Sequence, residues 1–471
     1  MAEMLKRQYD LVVLKVSLDT SHEPTRIHCA VEVKRDGTLR SIAEWDFTAE
    51  EMGLPERIDR RKALYGGYSF VIPPHVVSGL KEVLARESTP DTPLWLHLVK
   101  PSGYLGMVPW ERLLQPEIHC PMLRLPDFVV QPARETPSAL DVLICSSAPM
   151  AKDEIPVVHQ MLRFVEQIRS AVSRRVHFHL FTDAARQAEL ARLVSAGQLD
   201  TIATVYPAAA AAAFDVPEGD TNVRESGSRL TNPWLLWMRD ALGGRSVDVA
   251  HFCCHGYLSG DRGAVAVAES PLQNSDPRMA RFIGAAELQV FLTQIGAWST
   301  IFSSPENNYS DMGLRRIADT IGQSRPGPLV HHEVRLDPGG QALAAAYQLL
   351  HNRTAQPAPA TNALFIYCQP FRVRVGALEM ARAVVPASAA ASPELDHFYD
   401  GSENVPAWVA ASERYVEQCE VRVQKLRPAT TDRSRASDVH DRAAASLEST
   451  LKDIRSVIAR VAASSRPGGG R

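Results

Sequence analysis

The sequence lacks the features that mark several large classes of protein. Its seven cysteines are an odd number scattered along 471 residues, so they do not predict a disulfide framework. No apolar run approaches the ~20 residues that a membrane-spanning helix requires. Residues 1–7 also lack the apolar segment of a secretory signal. We therefore expect a cytoplasmic protein in a reducing environment, without a membrane partner.

An excess of charge of one sign is also missing. The chain has 51 basic and 54 acidic residues, for a net charge of -3, which gives no reason to expect nucleic acid as a partner. It contains neither a Gly-x-Gly-x-x-Gly loop nor a Walker loop, so nothing indicates a bound nucleotide, and we expect no cofactor. The remaining composition, 45% hydrophobic and 22% charged, is ordinary for a globular protein of two or three domains.

Residues 1–136 carry mainly strand signals and predict an N-terminal α/β lobe. Its clearest strand patterns lie at 11–16, 27–33 and 94–99, and a helix pattern lies at 77–86. Pro109-Trp110-Glu111 predicts the first turn of a helix, because proline is tolerated there and glutamate is favourable near the positive end of the helix. We interpret this tripeptide as a helix start packed by one aromatic ring.

From residue 137 to residue 372 the chain alternates between strand and helix patterns. This alternation predicts an α/β domain with a mostly parallel sheet flanked by helices. The predicted strands lie at 140–145, 176–181, 200–206, 247–255, 264–268, 298–302, 328–334 and 363–368. The predicted helices lie at 155–172, 184–194, 232–242, 285–295, 312–321 and 342–350.

Residues 373–471 differ again in composition. The stretch 384–404 is rich in alanine, proline and serine and indicates a linker. Two helical patterns follow, separated by Pro428, and the second has an apolar repeat of four and three residues. These patterns predict a C-terminal helical hairpin that packs on its own domain. A coiled-coil contact with a protein partner through 403–463 is the alternative.

Two predicted strand ends carry the residue types of an acyl-transfer site. The strand that begins near Asp248 ends at His255, and Gly256 is expected to let the backbone turn sharply just beyond it. The strand at 298–302 is followed by Ser303 and Ser304. A histidine and a nucleophile at the carboxyl ends of neighbouring strands would converge, which is the arrangement for attack on an acyl group.

The same residues resemble a known family. The His-Phe-x-Cys-His-Gly segment at 251–256 is similar to the histidine motif of CHAT domains, which are caspase-like proteins related to separase. The Pro-Trp-Glu segment at 109–111 resembles a second segment of that family. The order of strands and helices downstream, including the Gly313-Leu314 helix, agrees with it as well. The resemblance spans roughly residues 8–370.

The resemblance implies a caspase-like sheet in which His255 is catalytic. It places Ser304, with Ser303 as the runner-up, where the family has its catalytic cysteine. A serine hydroxyl needs a base to remove its proton, unlike a thiol, which is partly ionised at neutral pH. We therefore expect a degenerate peptidase module that binds a protein in a bacterial defence or signalling complex. The alternative is an active peptidase that cleaves a protein partner with His255 and Ser304 or Ser303, with Asp261 or Glu306 orienting the histidine.

Other candidate ligands and nucleophiles have simpler explanations. Cys253 lies on the same side of its strand as His255 and is interpreted as a small buried hydrophobe. The consecutive Cys253, Cys254 and His255 do not have the spacing of a zinc site. The pairs His177 with His179 and His331 with His332 are interpreted as structural, and no metal is expected.

Overall fold

The computed structural model describes 10–19, 23–35, 38–59, 62, 67–89, 92–100, 102–127, 138–149, 156–214, 230–272, 280–305, 311–352, 354–370, 373 and 452. The predicted linker and helical hairpin of 373–471 therefore lie outside the described residues, apart from Val373 and Lys452. Within the described part of the chain, no helix is both long enough and apolar enough to span a bilayer.

The N-terminal region contains five strands and two α-helices among its described residues. These are β1 (Leu11–Asp19), β2 (Arg26–Arg35), β3 (Thr38–Thr48), α1 (Pro74–Glu87), β4 (Leu94–Leu98), α2 (Trp110–Ile118) and β5 (Met122–Arg124). Strands β1, β2 and β3 are antiparallel neighbours, whereas β1, β4 and β5 are parallel. Alternate residues of β1, such as Val12, Leu14 and Val16, pack into a core with α1 and α2.

The following region alternates strands with helices, as predicted. Its elements are β6 (Ala139–Ser147), α3 (Val157–Ala171), β7 (Arg175–Phe181), α4 (Ala184–Ala196), β8 (Ala203–Val205), α5 (Pro233–Ala241), β9 (Val249–Ser259), β10 (Arg262–Ala268), β11 (Ala280–Gly284), α6 (Ala285–Gln294), β12 (Ser299–Ser304), α7 (Asp311–Ser324), β13 (Leu329–Glu333), α8 (Gln341–His351) and β14 (Leu364–Tyr367). The predicted α/β class with a mostly parallel sheet flanked by helices is confirmed.

All these strands belong to one mixed sheet. Its order is β3-β2-β1-β4-β5-β14-β13-β12-β9-β6-β7-β8, with the β10–β11 pair attached to β9. The sheet is continuous across the predicted domain boundary at residue 136, because β5 pairs with β14. From β6 the chain moves outward to β7 and β8, and it then returns to the other side of β6 at β9. In open α/β sheets such a reversal is the position at which ligands bind.

Two cores cover the faces of the second half of the sheet. One face packs α3 and α8 against residues such as Val249, Ile301 and Val330. The opposite face packs α5, α6 and α7 against residues such as Phe252 and Phe302. Residues next to each other on β9 therefore point into different cores, as the period of two along a strand requires.

The expected sharp turn at Gly256 is wrong. Strand β9 continues through Gly256 to Ser259, and its outer half pairs antiparallel with β10, which places Gly256 opposite Val265. Strand β10 forms a hairpin with β9 and provides the backbone hydrogen bonds for the part of β9 that extends beyond the parallel sheet. The chain turns only at Gly260, which has a positive φ of 60°.

Candidate functional site

Ser303 and Ser304 lie at the carboxyl end of β12, and His255 lies on the adjacent strand β9, just beyond the part of β9 that pairs in parallel with β6 and β12. Ser303 is opposite Cys253 in the register of the two strands. His255 lies two residues beyond Cys253 on β9. The three residues are almost completely buried, with exposures of 4%, 0% and 1% in that order. The structure thus brings the predicted site residues to one edge of the sheet.

The hydroxyl groups of the two serines are directed to partners other than His255. Ser303 Oγ is 2.8 Å from His251 Nε2 and 3.0 Å from His332 Nδ1. Ser304 Oγ donates a long hydrogen bond of 3.4 Å to the carbonyl oxygen of His332. In the part of the chain that the structure describes, neither hydroxyl is hydrogen-bonded to His255.

Ser303 is the centre of a buried polar chain, here called the Ser303 network. Its members are Tyr347, His251, Ser303, His332 and Asp337. Tyr347 Oη is 3.3 Å from His251 Nδ1, and His332 Nε2 is 3.2 Å from an oxygen of Asp337. The network therefore links β9, β12 and β13 to α8 and the loop that precedes it.

Burial decides the protonation of this network. Burial, together with the smaller effect of the neighbouring His332, lowers the pKa of His251 to about 3. Burial also lowers the pKa of His332, although Asp337 opposes the shift. Burial disfavours the ionised form of Asp337, but hydrogen bonds from His332 and backbone amides hold its pKa below the ordinary value. At neutral pH the network thus contains two neutral imidazoles and one carboxylate.

These protonation states fix the direction of every hydrogen bond. The Asp337 carboxylate can only accept, so His332 donates from Nε2 and accepts at Nδ1. Ser303 must then donate to His332 and accept from Nε2 of His251, whose Nδ1 accepts from the hydroxyl of Tyr347. The result has the Ser–His–Asp connectivity of a catalytic triad, but its serine is fully buried.

Phe164 of helix α3 covers the network from the core. Its ring stacks on His251 with a centroid distance of 4.8 Å and meets the ring of His332 edge-on at 6.2 Å. Cys253, next along the same face of β9, donates from its thiol to Gln160 of the same helix at 3.3 Å. This agrees with the interpretation of Cys253 as a buried structural residue.

A second buried cluster lies on the opposite side of the sheet and is built from charges. Arg124 of β5 donates to both oxygens of Glu111, at 2.7 and 3.0 Å, and to Asp319 of α7 at 3.3 Å. Its guanidinium also lies 3.8 Å from the ring centroid of Phe365. Glu111 is therefore half of a buried ion pair, which the sequence-based interpretation of a helix start packed by tryptophan did not include.

The cluster of Asp311, His331 and Glu333 also contains ligand types of a metal site. Their donor atoms lie within 4.8 Å of one another. However, Arg315 lies among them, with its guanidinium 2.6 Å from Asp311 and in a close ion pair with Glu333. Because this guanidinium already supplies the positive charge, the arrangement is that of an ion-pair network.

No family model, no curated protein and no solved structure matches this chain. The function is therefore inferred from the geometry of the site and from the motif at 251–256.

Proposed function

We propose that this chain is a cytoplasmic caspase-like module of the CHAT type that binds a protein partner without cleaving it. The observation that carries the proposal is the hydrogen bonding of the two serines. A serine nucleophile needs a base within hydrogen-bond reach and an approach path for the substrate carbonyl. Ser303 and Ser304 are buried and bonded away from His255.

The placement of the histidine supports the caspase-like part of the proposal. The two serines come from the carboxyl end of β12, and His255 lies just beyond the parallel part of the adjacent strand β9, where the strand order reverses. Ligands of open α/β sheets bind at such a reversal. A protein segment bound there would meet the edge that carries His255. A role in a bacterial defence or signalling complex follows from the resemblance to the family.

One observation favours a second candidate, an active serine peptidase. Ser303, His332 and Asp337 are connected in the order of a catalytic triad. In this hypothesis His332, and not His255, is the base that removes the proton of Ser303. It ranks second because a substrate carbonyl would have to come within ~3 Å of the hydroxyl, and Ser303 has no exposed surface.

A cleavage assay on a complex peptide library separates the two candidates. The full chain is incubated with peptides derived from a whole proteome, and new termini are identified by mass spectrometry. We expect no cleavage above background from the wild type, from His255→Ala or from His332→Ala. In the Ser304→Cys variant, a gain of cleavage that requires His255 would show that the frame keeps the family's arrangement.

The same assay can overturn the proposal. Cleavage by the wild type that disappears in Ser304→Ala and in His255→Ala would establish the predicted peptidase. If cleavage disappears in Ser303→Ala and His332→Ala but persists in His255→Ala, the triad-like network is the active site. His159→Ala, which removes an exposed histidine of α3, is the matched control.

A further inference from the structure

Asp141, His177 and His179 form a cluster at the amino-terminal end of β6 and β7, away from the candidate site. Asp141 is directly opposite His177 in the register of the two parallel strands. His177 and His179 are two residues apart on β7, so their side chains project from the same face. Two imidazoles and one carboxylate therefore converge on one point.

The distances between the donor atoms suit a single small ion. Asp141 Oδ1 is 3.3 Å from His179 Nε2 and 3.7 Å from His177 Nδ1, and the two ring nitrogens are 3.4 Å apart. A tetrahedral zinc ion with bonds of ~2.0–2.2 Å has its ligand atoms about 3.3–3.6 Å from one another. Two of the three separations lie within this range and the third, 3.7 Å, is about 0.1 Å longer, so the three atoms are spaced nearly as three ligands of one tetrahedral ion.

The outer nitrogen of each imidazole is held by a hydroxyl group. His179 Nδ1 is 2.9 Å from the hydroxyl of Tyr206, and His177 Nε2 is 3.4 Å from that of Thr204. The Tyr206 ring is in turn stacked on Phe181 at 4.5 Å. Such partners fix the tautomer and the orientation of metal-binding histidines. With their outer nitrogens held in this way, the two imidazoles present His179 Nε2 and His177 Nδ1 to Asp141.

Two charged side chains from other parts of the chain, Arg245 and Asp248, lie close to the cluster. Arg245, in the turn after α5, acts on His177 and Tyr206, and Asp248 accepts a hydrogen bond from the backbone amide of Asp141.

One side of the cluster is open. His179 is 2% exposed, but His177 and Asp141 are 33% and 40% exposed. Three protein ligands with an open fourth position are the arrangement of zinc sites that keep a water molecule on the metal. The cluster of Asp311, His331 and Glu333 differs from it, because Arg315 fills that cluster.

We propose that Asp141, His177 and His179 bind one Zn²⁺ ion, with water as the fourth ligand. Zinc suits this donor set because imidazole and carboxylate are both among its ordinary ligands. The interpretation of His177 and His179 as alternating structural residues is replaced by this proposal, which does not depend on the proposed function of the sheet edge.

Cobalt(II) is the test probe, because tetrahedral coordination gives it visible absorption bands. The full chain, without a histidine tag, is stripped with a chelator and titrated with Co²⁺ at pH 7.5. We expect bands that saturate at one Co²⁺ per chain and are abolished by Zn²⁺. Asp141→Asn and His177→Ala should lose them, whereas His159→Ala should keep them. Tyr206→Phe should weaken binding about 10–100-fold, because it removes only an orienting partner.

A second readout guards against misfolded variants. Zn²⁺ should raise the unfolding temperature of the wild type and of His159→Ala, because it binds the folded state, and should leave that of Asp141→Asn unchanged. The apo variants are compared with the wild type by circular dichroism. The proposal is overturned if the wild type gives no tetrahedral bands, or if folded Asp141→Asn keeps them. The peptide-cleavage result has no bearing on this outcome.

Discussion

Replacement of Arg124 by methionine is expected to lower the free energy of unfolding by about 3–5 kcal/mol, because it removes the ion-pair partner of the buried Glu111 and one of the partners of the buried Asp319. Arg124 is fully buried and contacts Glu111 and Asp319. Burial lowers the pKa of the Arg124 guanidinium, but the ion pair with Glu111, helped by other neighbours, raises it above its ordinary value. Methionine fills a similar volume, so the loss isolates the effect of the charge. Urea unfolding followed by fluorescence measures it.

Two further variants test the reason for that loss. Arg124→Met combined with Glu111→Gln should recover at least about 1 kcal/mol, because it removes one of the stranded charges. Lys15→Ala, which breaks a partly exposed pair with Glu32 at 3.0 Å, should change stability by less than about 1 kcal/mol. An Arg124→Met protein as stable as the Lys15→Ala protein would contradict the account of this cluster.

The second large effect is a loss of stability between pH 6.5 and pH 4.5. Burial lowers the pKa of His251 to about 3 and that of His331 to about 4, and it also lowers the pKa of His332. Unfolded histidine has a pKa of about 6.5. In this window the unfolded chain binds protons that the folded chain excludes, so stability falls as the pH falls. The maximal slope from three histidines is about 4 kcal/mol per pH unit.

The pH dependence is measured as the free energy of unfolding in urea at intervals from pH 7.5 to pH 4.5. His251→Gln should reduce the slope by about 1.4 kcal/mol per pH unit, the contribution of one proton. His159→Gln, which changes a histidine exposed on α3, should leave the slope at the wild-type value. A wild-type stability that is flat across this range would show that the buried histidines are not excluded from protonation.

Much of the fold was accessible from local patterns. The strands that end near His255 and Ser304 were located from apolar runs, and their neighbouring positions in the sheet agree with the expectation that the two ends converge. The extension of β9 through Gly256 was missed, because its cause is pairing with β10. Such pairing is a contact between chain segments that no single run of residues encodes.

The contacts within the site are harder to predict from the sequence than the strands and helices. The Ser303 hydroxyl is oriented by hydrogen bonds with His251 and His332, and the ring of Phe164 stacks on His251. These three residues belong to three other elements. The charged cluster did have a signal, because Arg124 interrupts an otherwise apolar strand sequence. The partner of His177 and His179 lies on another strand, so Asp141 is identified only once the register of β6 and β7 is known.

We propose that the hydroxyls of Ser303 and Ser304 are structural groups and do not act as nucleophiles. The most direct measurement exposes the folded chain to a fluorophosphonate probe at pH 7.5, followed by intact mass and peptide mapping. An active serine hydrolase in the same tube shows that the probe is competent. The expected result is no adduct on Ser303 or Ser304. A stoichiometric adduct on either serine, lost in His255→Ala or His332→Ala, would contradict the claim and establish a working active site.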